Sequence, residues 1–433
     1  MKNMKVKFLN YMYIPALLTL TLVVWGCSSS NNFYKAPKVS AFKGGKLPAP
    51  PGMVYIPSGT ILFKGSLDSG NVGKNVSLSA FFIDETEVTN KQYRQFVNWV
   101  ADSIAVTDYL QDDQYFLDVA SEDGERRRIN WKKIKRISPI WRSSDPSIVE
   151  KITPMLELKG SVRSLNPEVV KYRFSYLKAK GNMKKEYVTE SVPVLIAEDI
   201  WSKDFPNSQL TSLDANYFTH QSFDYYPVVG VTWRQARAYS DWRGKEMMAN
   251  LMKNSYLSGY QLTFSLPTEA QWQYAAGGRI DARDTVAGSQ LTIDGDDGKE
   301  KLAVNYKQGE GTYSRDGATF TLPVKSYIAN KFGLYNMAGN VSEWTLDAYS
   351  PSAVAFVNDL NPVLLYDADE DDADALKRKV VRGGSWKDNG EQLNSDTRNY
   401  SVDYEPHSYI GFRCVMSAFE LPAAQSKTRK YQN

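Results

Sequence analysis

The chain has 433 residues, 42% hydrophobic and 13% aromatic, with 27 Tyr and 10 Trp, which is ample material for one large domain or two medium ones. Its formal charge is +3, but Lys2, Lys5 and Lys7 fall in a leader that holds no acid, so the rest of the chain is neutral. A neutral body excludes the overall electrostatic attraction on which nucleic-acid binding rests.

Residues 1–26 read as a secretory leader, with three lysines ahead of the apolar run Ile14–Trp25 and then Gly26-Cys27. That run of about 12 residues is too short to span a bilayer. A small residue directly before cysteine at the end of such a run is the lipobox pattern, so the expected mature chain begins at an acylated Cys27. Residues 27–51 are rich in Ser, Asn, Gly and Pro and read as a flexible tether reaching roughly 25–30 Å. With Cys27 lipidated, Cys414 is the only thiol left, and no disulfide can form within the chain.

Regular structure is expected from Gly52. Met53-Val-Tyr-Ile56 and Ala80-Phe-Phe-Ile83 read as strands. Tyr93, Phe96, Val97 and Val100 then recur at helical spacing, and Thr89 with Gln92 three residues on is a capping box. The same device stands at Thr232/Gln235 and Thr268/Gln271, and Gly277-Gly278 is placed to stop the third helix. These threonines satisfy free helix N–H groups and are not catalytic candidates.

Residues 101–222 have a mixed composition unlike their flanks. From Glu125 to Arg142 eight basic residues stand against one acid, including Arg126, Arg127, Arg128, Lys132, Lys133 and Arg136, interleaved with Trp131 and Trp141. This is either a solvated basic face or a partner-docking surface, since exposed Trp and Arg anchor interfaces. Residues 367–374 carry six carboxylates and read as a solvated loop. Asp294-Gly-Asp-Asp-Gly298 lacks EF-hand spacing and reads as a turn. Residues 421–433 form a tail.

Several blocks occur in a fixed order: Met53–Thr60, Ile83–Asn90, Tyr226–Trp233, Leu266–Ala276, Gly333-Leu-Tyr-Asn-Met-Ala-Gly-Asn-Val-Ser-Glu-Trp344, Val380-Val-Arg-Gly-Gly-Ser-Trp386 and Gly411-Phe-Arg-Cys414. Together they resemble the formylglycine-generating enzyme, or sulfatase-modifying factor, family. The resemblance implies an α+β domain related to C-type lectins over 52–420, low in regular secondary structure, with 101–222 as a large insertion. It also implies a chemistry that this chain lacks. The family oxidises a cysteine using two thiolates that suit Cu(I), and the positions matching them here are Asp388 and Leu393. Cys414 matches a small buried core cysteine. Neither copper nor iron is expected, because the histidine-rich iron sites of a related branch have only His220 and His407 to draw on. Nothing local supports a Ser-His-Asp hydrolase.

Calcium is the cofactor the resemblance does imply. One set comprises Asn305, the Tyr306 carbonyl, Asp316 and the Ala318 carbonyl. The other comprises Asn336, the Gly339 and Val341 carbonyls and Glu343. Hard oxygen donors on irregular backbone are what Ca²⁺ takes.

Asp84–Val100, with Arg128-Ile-Asn-Trp131 and Ile140-Trp141, is similar to the GldK/PorK lipoproteins of gliding motility and type IX secretion. That resemblance implies a non-enzymatic subunit, lipid-anchored in the outer membrane at its periplasmic face. Such a subunit self-associates into a ring with a GldN/PorN-type periplasmic protein. The alternatives are an oxidase of the sulfatase-modifying type with an unrecognised site, or a periplasmic sugar- or peptidoglycan-binding module.

Overall fold

The computed structural model describes residues 49–64, 73–117, 127–134, 139–180, 184–251, 260–277, 292–294, 300–311, 313–314 and 317–420. Strands β1 (Met53–Ile56), β2 (Gly59–Lys64), β3 (Gly73–Leu78) and β4 (Phe81–Asp84) precede helix α1 (Asn90–Ile104). Then come α2 (Trp131–Ile134), α3 (Pro146–Ile152), the hairpins β5 (Leu156–Lys159)/β6 (Val162–Leu165) and β7 (Lys171–Lys180)/β8 (Lys184–Pro193), and the short helices α4 (Ile200–Asp204) and α5 (Thr211–Asn216). Helix α6 (Trp233–Leu251), β9 (Tyr260–Ser265), α7 (Glu269–Ala275), β10 (Thr292–Asp294) and β11 (Glu300–Leu302) follow. The chain closes with β12 (Ser342–Ala348), β13 (Arg378–Arg382), β14 (Asn399–Val402), β15 (Ile410–Gly411) and β16 (Val415–Glu420).

Two small sheets carry the α+β architecture. One runs β1-β4-β16-β9, antiparallel throughout. The other runs β14-β13-β12-β15, with β12 and β15 parallel. The first draws strands from both ends of the sequence, the second only from residues 342–411, and both are completed by strands within residues 410–420. Among the described residues, no helix is long and apolar enough to cross a membrane.

The three capping boxes form as the sequence dictates. Thr89 and Gln92 exchange hydrogen bonds at the start of α1, as do Thr268 and Gln271 at α7. At α6 the Thr232 N–H donates to Gln235 Oε1 at 2.9 Å and the Gln235 N–H to Thr232 Oγ1 at 3.2 Å. Each cap contributes about 1 kcal/mol by satisfying otherwise orphaned donors. The periodic face of α1 is buried, with Tyr93 and Phe96 fully so, and these rings meet Tyr239 and Trp242 of α6 at 5.7 and 5.2 Å.

The insertion is not an appended lobe. Helix α1 continues through Ala101 to Ile104, so the composition change at 101 falls inside a helix. Tyr115, Ile152, Leu165 and Val194 of the insertion belong to the same buried cluster as Phe96 and Trp242. The apolar residues of the insertion are therefore spent on the common core.

The acidic run departs from the expectation of a solvated loop. Asp367 and Ala368 are buried. Asp367 accepts from the Ala179 N–H at 3.0 Å and from Arg237 at 3.1 Å, with Lys379 Nζ at 3.7 Å. Asp369 pairs with both Lys178 and Lys180, and Asp372 with Lys180 at 3.2 Å. The run is a clasp on the β7–β8 ribbon. Local composition suggested solvation because the partners Lys178 and Lys180 lie 189–192 positions away and Arg237 lies 130 away.

Candidate functional site

Strand β13 delivers the Arg-Gly-Gly-Ser turn. Gly383 and Gly384 hold φ of 92° and 66°, the left-handed region that favours glycine. A Cβ on Gly384 would meet the Gln392 carbonyl at 2.9 Å. The turn positions Ser385, Trp386 and, two residues on, Asp388. Asp388 and Leu393 are the positions that the resemblance matches to the family's thiolates. Asp388 is buried, and its Oδ2 accepts from the Ser385 N–H at 2.9 Å and from Ser385 Oγ at 2.7 Å. Its Oδ1 takes Lys387 Nζ at 2.9 Å. Leu393 is buried in the same loop. A carboxylate that caps its own turn and a packed leucine offer no soft ligand to a Cu(I) ion.

Trp386 is covered as well. Trp201 stacks on it at 5.8 Å and Phe205 lies at 5.1 Å, both from the α4 segment. Tyr313 approaches at 6.0 Å.

Cys414 is fully buried, 3.3 Å from Ser240 Oγ, as expected of a core residue. Burial and the Asp84 carboxylate push its thiol up to about 12, so it stays protonated and unreactive at neutral pH.

The two histidines stand apart. His220 caps a short turn, its Nδ1 accepting from the Ser222 N–H at 3.2 Å. His407 sits between Asp204 Oδ1 (3.0 Å from Nδ1) and Ser401 Oγ (3.1 Å from Nε2). Asp204 is also held by the Ser408 N–H and Oγ at 2.6 and 2.8 Å, and these bonds keep its carboxyl below the usual range against the opposing effect of burial. No sequence signal announced this arrangement, because Asp204 and His407 are 203 positions apart. It has the order of a charge relay. However, Ser401 is only 8% exposed, and the imidazole stacks on Tyr409 at 4.8 Å. The group ties α4 to β14.

Of the first calcium set, Asp316 lies outside the described residues. The Asn305 amide donates to the Phe320 carbonyl at 2.9 Å and to Asn340 Oδ1 at 3.3 Å, and the Tyr306 carbonyl accepts from Gln308. Ala318 is half-buried. The second set lies along one stretch of chain. Asn336 and Gly339 have positive φ of 52° and 74°, which turns the backbone within a few residues of Glu343. The Asn336 amide donates to Glu87 Oε2 at 3.1 Å, and Asn340 donates to Glu87 Oε1 at 2.8 Å. Val341 and Glu343 are fully buried. The Glu343 carboxylate is engaged by Arg413 through Nε (2.7 Å) and a terminal nitrogen (2.6 Å), and by Trp272 Nε1 at 2.7 Å. The oxygen-only donor chemistry of this set fits calcium. Both oxygens of its single carboxylate already accept hydrogen bonds, so an ion there would compete with Arg413 and Trp272.

Burial dominates Glu87. Desolvation raises its carboxyl to about 7, with Arg413 opposing and Glu343 adding to the rise.

In the basic stretch, Arg126 and Arg136 lie outside the described residues, as does Cys27. Trp131 and Trp141 are half-buried rather than free anchors. Trp131 stacks on Trp99 at 4.9 Å, and Trp141 Nε1 donates to Asn98 at 3.1 Å. Arg127 pairs with Asp113 at 2.7 Å and lies over Phe116. Arg128, Lys132 and Lys133 face solvent. The tryptophans are structural and the cations remain on the surface.

The chain belongs to the sulfatase-modifying factor enzyme 1-like domain family, whose model matches residues 39–418. It is 32% identical over 199 residues to a formylglycine-generating enzyme of Streptomyces coelicolor, covering 45% of this chain and 53% of that one. It is 28% identical over 206 residues to an inactive C-alpha-formylglycine-generating enzyme 2 of Bos taurus, covering 46% and 52%. The chain thus spans about half the length of these curated relatives. Among solved structures, PvdO from Pseudomonas aeruginosa is similar over 87% of this chain and all of its own, at 18% identity and a TM-score of 0.42.

Proposed function

We propose that this protein is a non-catalytic structural subunit. It is a lipoprotein acylated at Cys27, held at the periplasmic face of the outer membrane, and built into a ring with a GldN/PorN-type periplasmic protein in the type IX secretion and gliding machinery. The observation that carries the non-catalytic part is the pair at positions 388 and 393. Asp388 is consumed as a turn cap and Leu393 as core, and the single described thiol, Cys414, is buried and protonated. A fold without its redox ligands retains its shape and therefore its capacity to present surfaces. A lipid tether raises the effective concentration of subunits in the membrane plane, so modest contacts suffice to close an assembly. Calcium belongs to this proposal as a weak structural ion at Asn336, Gly339, Val341 and Glu343.

The test is direct. Purified protein is incubated with copper and a cysteine-containing sulfatase peptide, and the peptide mass is measured. The thiol mass should persist; aldehyde formed by the wild type and abolished on changing Asp388 overturns the reading. In cells, labelling with an alkyne fatty acid should vanish in Cys27→Ala, and mild detergent should extract the wild type as a complex larger than a monomer.

A further inference from the structure

The tether enters the body beside an exposed apolar loop. Gly52, the first residue beyond the tether, accepts from the Glu85 N–H at 2.9 Å, and the Glu85 carbonyl accepts from the Tyr335 N–H at 2.9 Å. The Glu85 carboxylate takes Lys325 Nζ at 2.7 Å. The segment 323–335 is therefore fastened to the start of β1. Three residues beyond Lys325, Ile328 stands 69% exposed. Tyr225, whose carbonyl accepts from the Val324 N–H at 2.9 Å, is 62% exposed. Cationic side chains surround this pair. Lys91 lies over the Tyr225 ring at 5.4 Å, Lys325 over that of Tyr335 at 5.3 Å, and Lys331 reaches the Gly277 carbonyl at 3.2 Å. Counting in-chain pairs, the four cations Lys91, Arg94, Lys325 and Lys331 stand against the two anions Asp224 and Glu85. A single exposed apolar residue is ordinary on any surface. What sets Tyr225 and Ile328 apart is their place at the root of the tether.

We propose that the surface carrying Tyr225 and Ile328 rests on the lipid bilayer that holds the acylated Cys27, so that the body is oriented on the membrane instead of swinging on its tether. The contact rests on the lipoprotein reading above and adds an orientation to it. Tyrosine settles at the headgroup level of a bilayer, an isoleucine beside it enters the apolar boundary, and long lysine side chains lie along the surface with their ammonium groups in water. Residues 27–51 reach roughly 25–30 Å, so the face where they join the body stays close to the anchor. The acyl chains already hold the body at the surface, and a patch too small to bind a membrane unaided then suffices, because its local concentration of lipid is high. The surplus of cations favours an anionic leaflet.

The test uses the full lipidated chain in vesicles of phosphatidylethanolamine and phosphatidylglycerol, with a nitroxide near the headgroup of a fraction of the lipid. With Cys27 acylated and Cys414 buried, an introduced cysteine alone takes an environment-sensitive fluorophore. On Ile328→Cys the emission should shift to the blue and lose roughly half its intensity to the nitroxide, since interfacial groups sit about 5–10 Å into the headgroup boundary. On Leu158→Cys, 75% exposed on the β5–β6 hairpin, it should do neither. Adding Tyr225→Ser to the labelled Ile328→Cys chain should weaken the quenching while the far-ultraviolet circular dichroism stays the same. An unquenched probe at position 328, equal quenching at 158, or quenching indifferent to Tyr225→Ser overturns this surface and leaves the lipid anchor standing. A wild type that takes no alkyne fatty acid overturns the lipoprotein reading itself, and this contact with it.

Discussion

Arg413 and Glu343 form a two-pronged ion pair with both side chains essentially sealed from solvent: Nε reaches one carboxylate oxygen at 2.7 Å and a terminal nitrogen reaches the other at 2.6 Å. The same guanidinium also donates to the carbonyls of Asp84 and Tyr335 at 3.0 and 2.8 Å. It thereby ties together the Gly-Phe-Arg segment, β12, the end of β4 and the loop before β12. The blocks Ile83–Asn90, Leu266–Ala276, Gly333–Trp344 and Gly411–Cys414 each contribute a partner to this one buried network. Replacing Arg413 by Met leaves Glu343 buried with one donor, Trp272, and should cost about 3–5 kcal/mol. Urea unfolding measures it; a loss under about 1 kcal/mol would show the network to be dispensable.

Asp102 gives a pH dependence with a definite sign. Burial raises its carboxyl from 3.8 to about 7, opposed by the hydrogen bond it accepts from the Ile140 N–H at 2.7 Å. The unfolded chain loses this proton near pH 4 while the folded chain keeps it. The contribution is therefore full below about pH 4 and declines as pH rises towards 7, at no more than about 1.4 kcal/mol per unit. Asp102→Asn keeps an acceptor for Ile140 and removes the titration. Denaturant midpoints at pH 4, 5.5 and 7 should fall less steeply with pH in the variant than in the wild type. Parallel pH profiles for the two proteins would refute the assignment.

Asp367 should govern the clasp on the ribbon. Asp367→Ala strips the Ala179 N–H of its acceptor and leaves Lys379, buried over the Trp233 ring at 3.9 Å, without its nearby carboxylate. Burial already holds the Lys379 amine down to about 8. Amide exchange at Ala179 should accelerate at least tenfold, while exchange in α1 changes little. Equal acceleration in both would mean global destabilisation rather than release of the ribbon.

Calcium, if it occupies the second set, should raise Tm. At a concentration tenfold above Kd the linkage is about 1.4 kcal/mol, or roughly 1.5–2 °C for a domain of this size. The comparison is 5 mM calcium against EDTA, for the wild type and Asn336→Ala. The shift should disappear in the variant, and an unshifted wild type removes calcium from the account.

Much of the fold was legible because its signals are local. Three Thr-x-x-Gln boxes start three helices, since capping needs only residues three apart. The apolar face of α1 was readable from its spacing. The Arg-Gly-Gly-Ser block was readable only as part of the family resemblance, which also matches Asp388 and Leu393 to the thiolate positions. The insertion was less legible. Trp131 and Trp141 look like surface anchors in a basic stretch, but stacking on Trp99 and the bond to Asn98 take most of their surface.

The sequence alone determined where the three capped helices start, because each cap rests on the identity of two residues three apart along the chain. Tertiary structure decided the rest: that Asp367 is a buried hub rather than a solvated acid, that His407 meets Asp204, and that Asp403 is left with an unsatisfied oxygen. Those outcomes depend on groups 188 and 203 positions apart being brought to 3.0 Å, and on which partners then reach a buried atom. No local pattern encodes such encounters, since only closure of the whole core sets the distances.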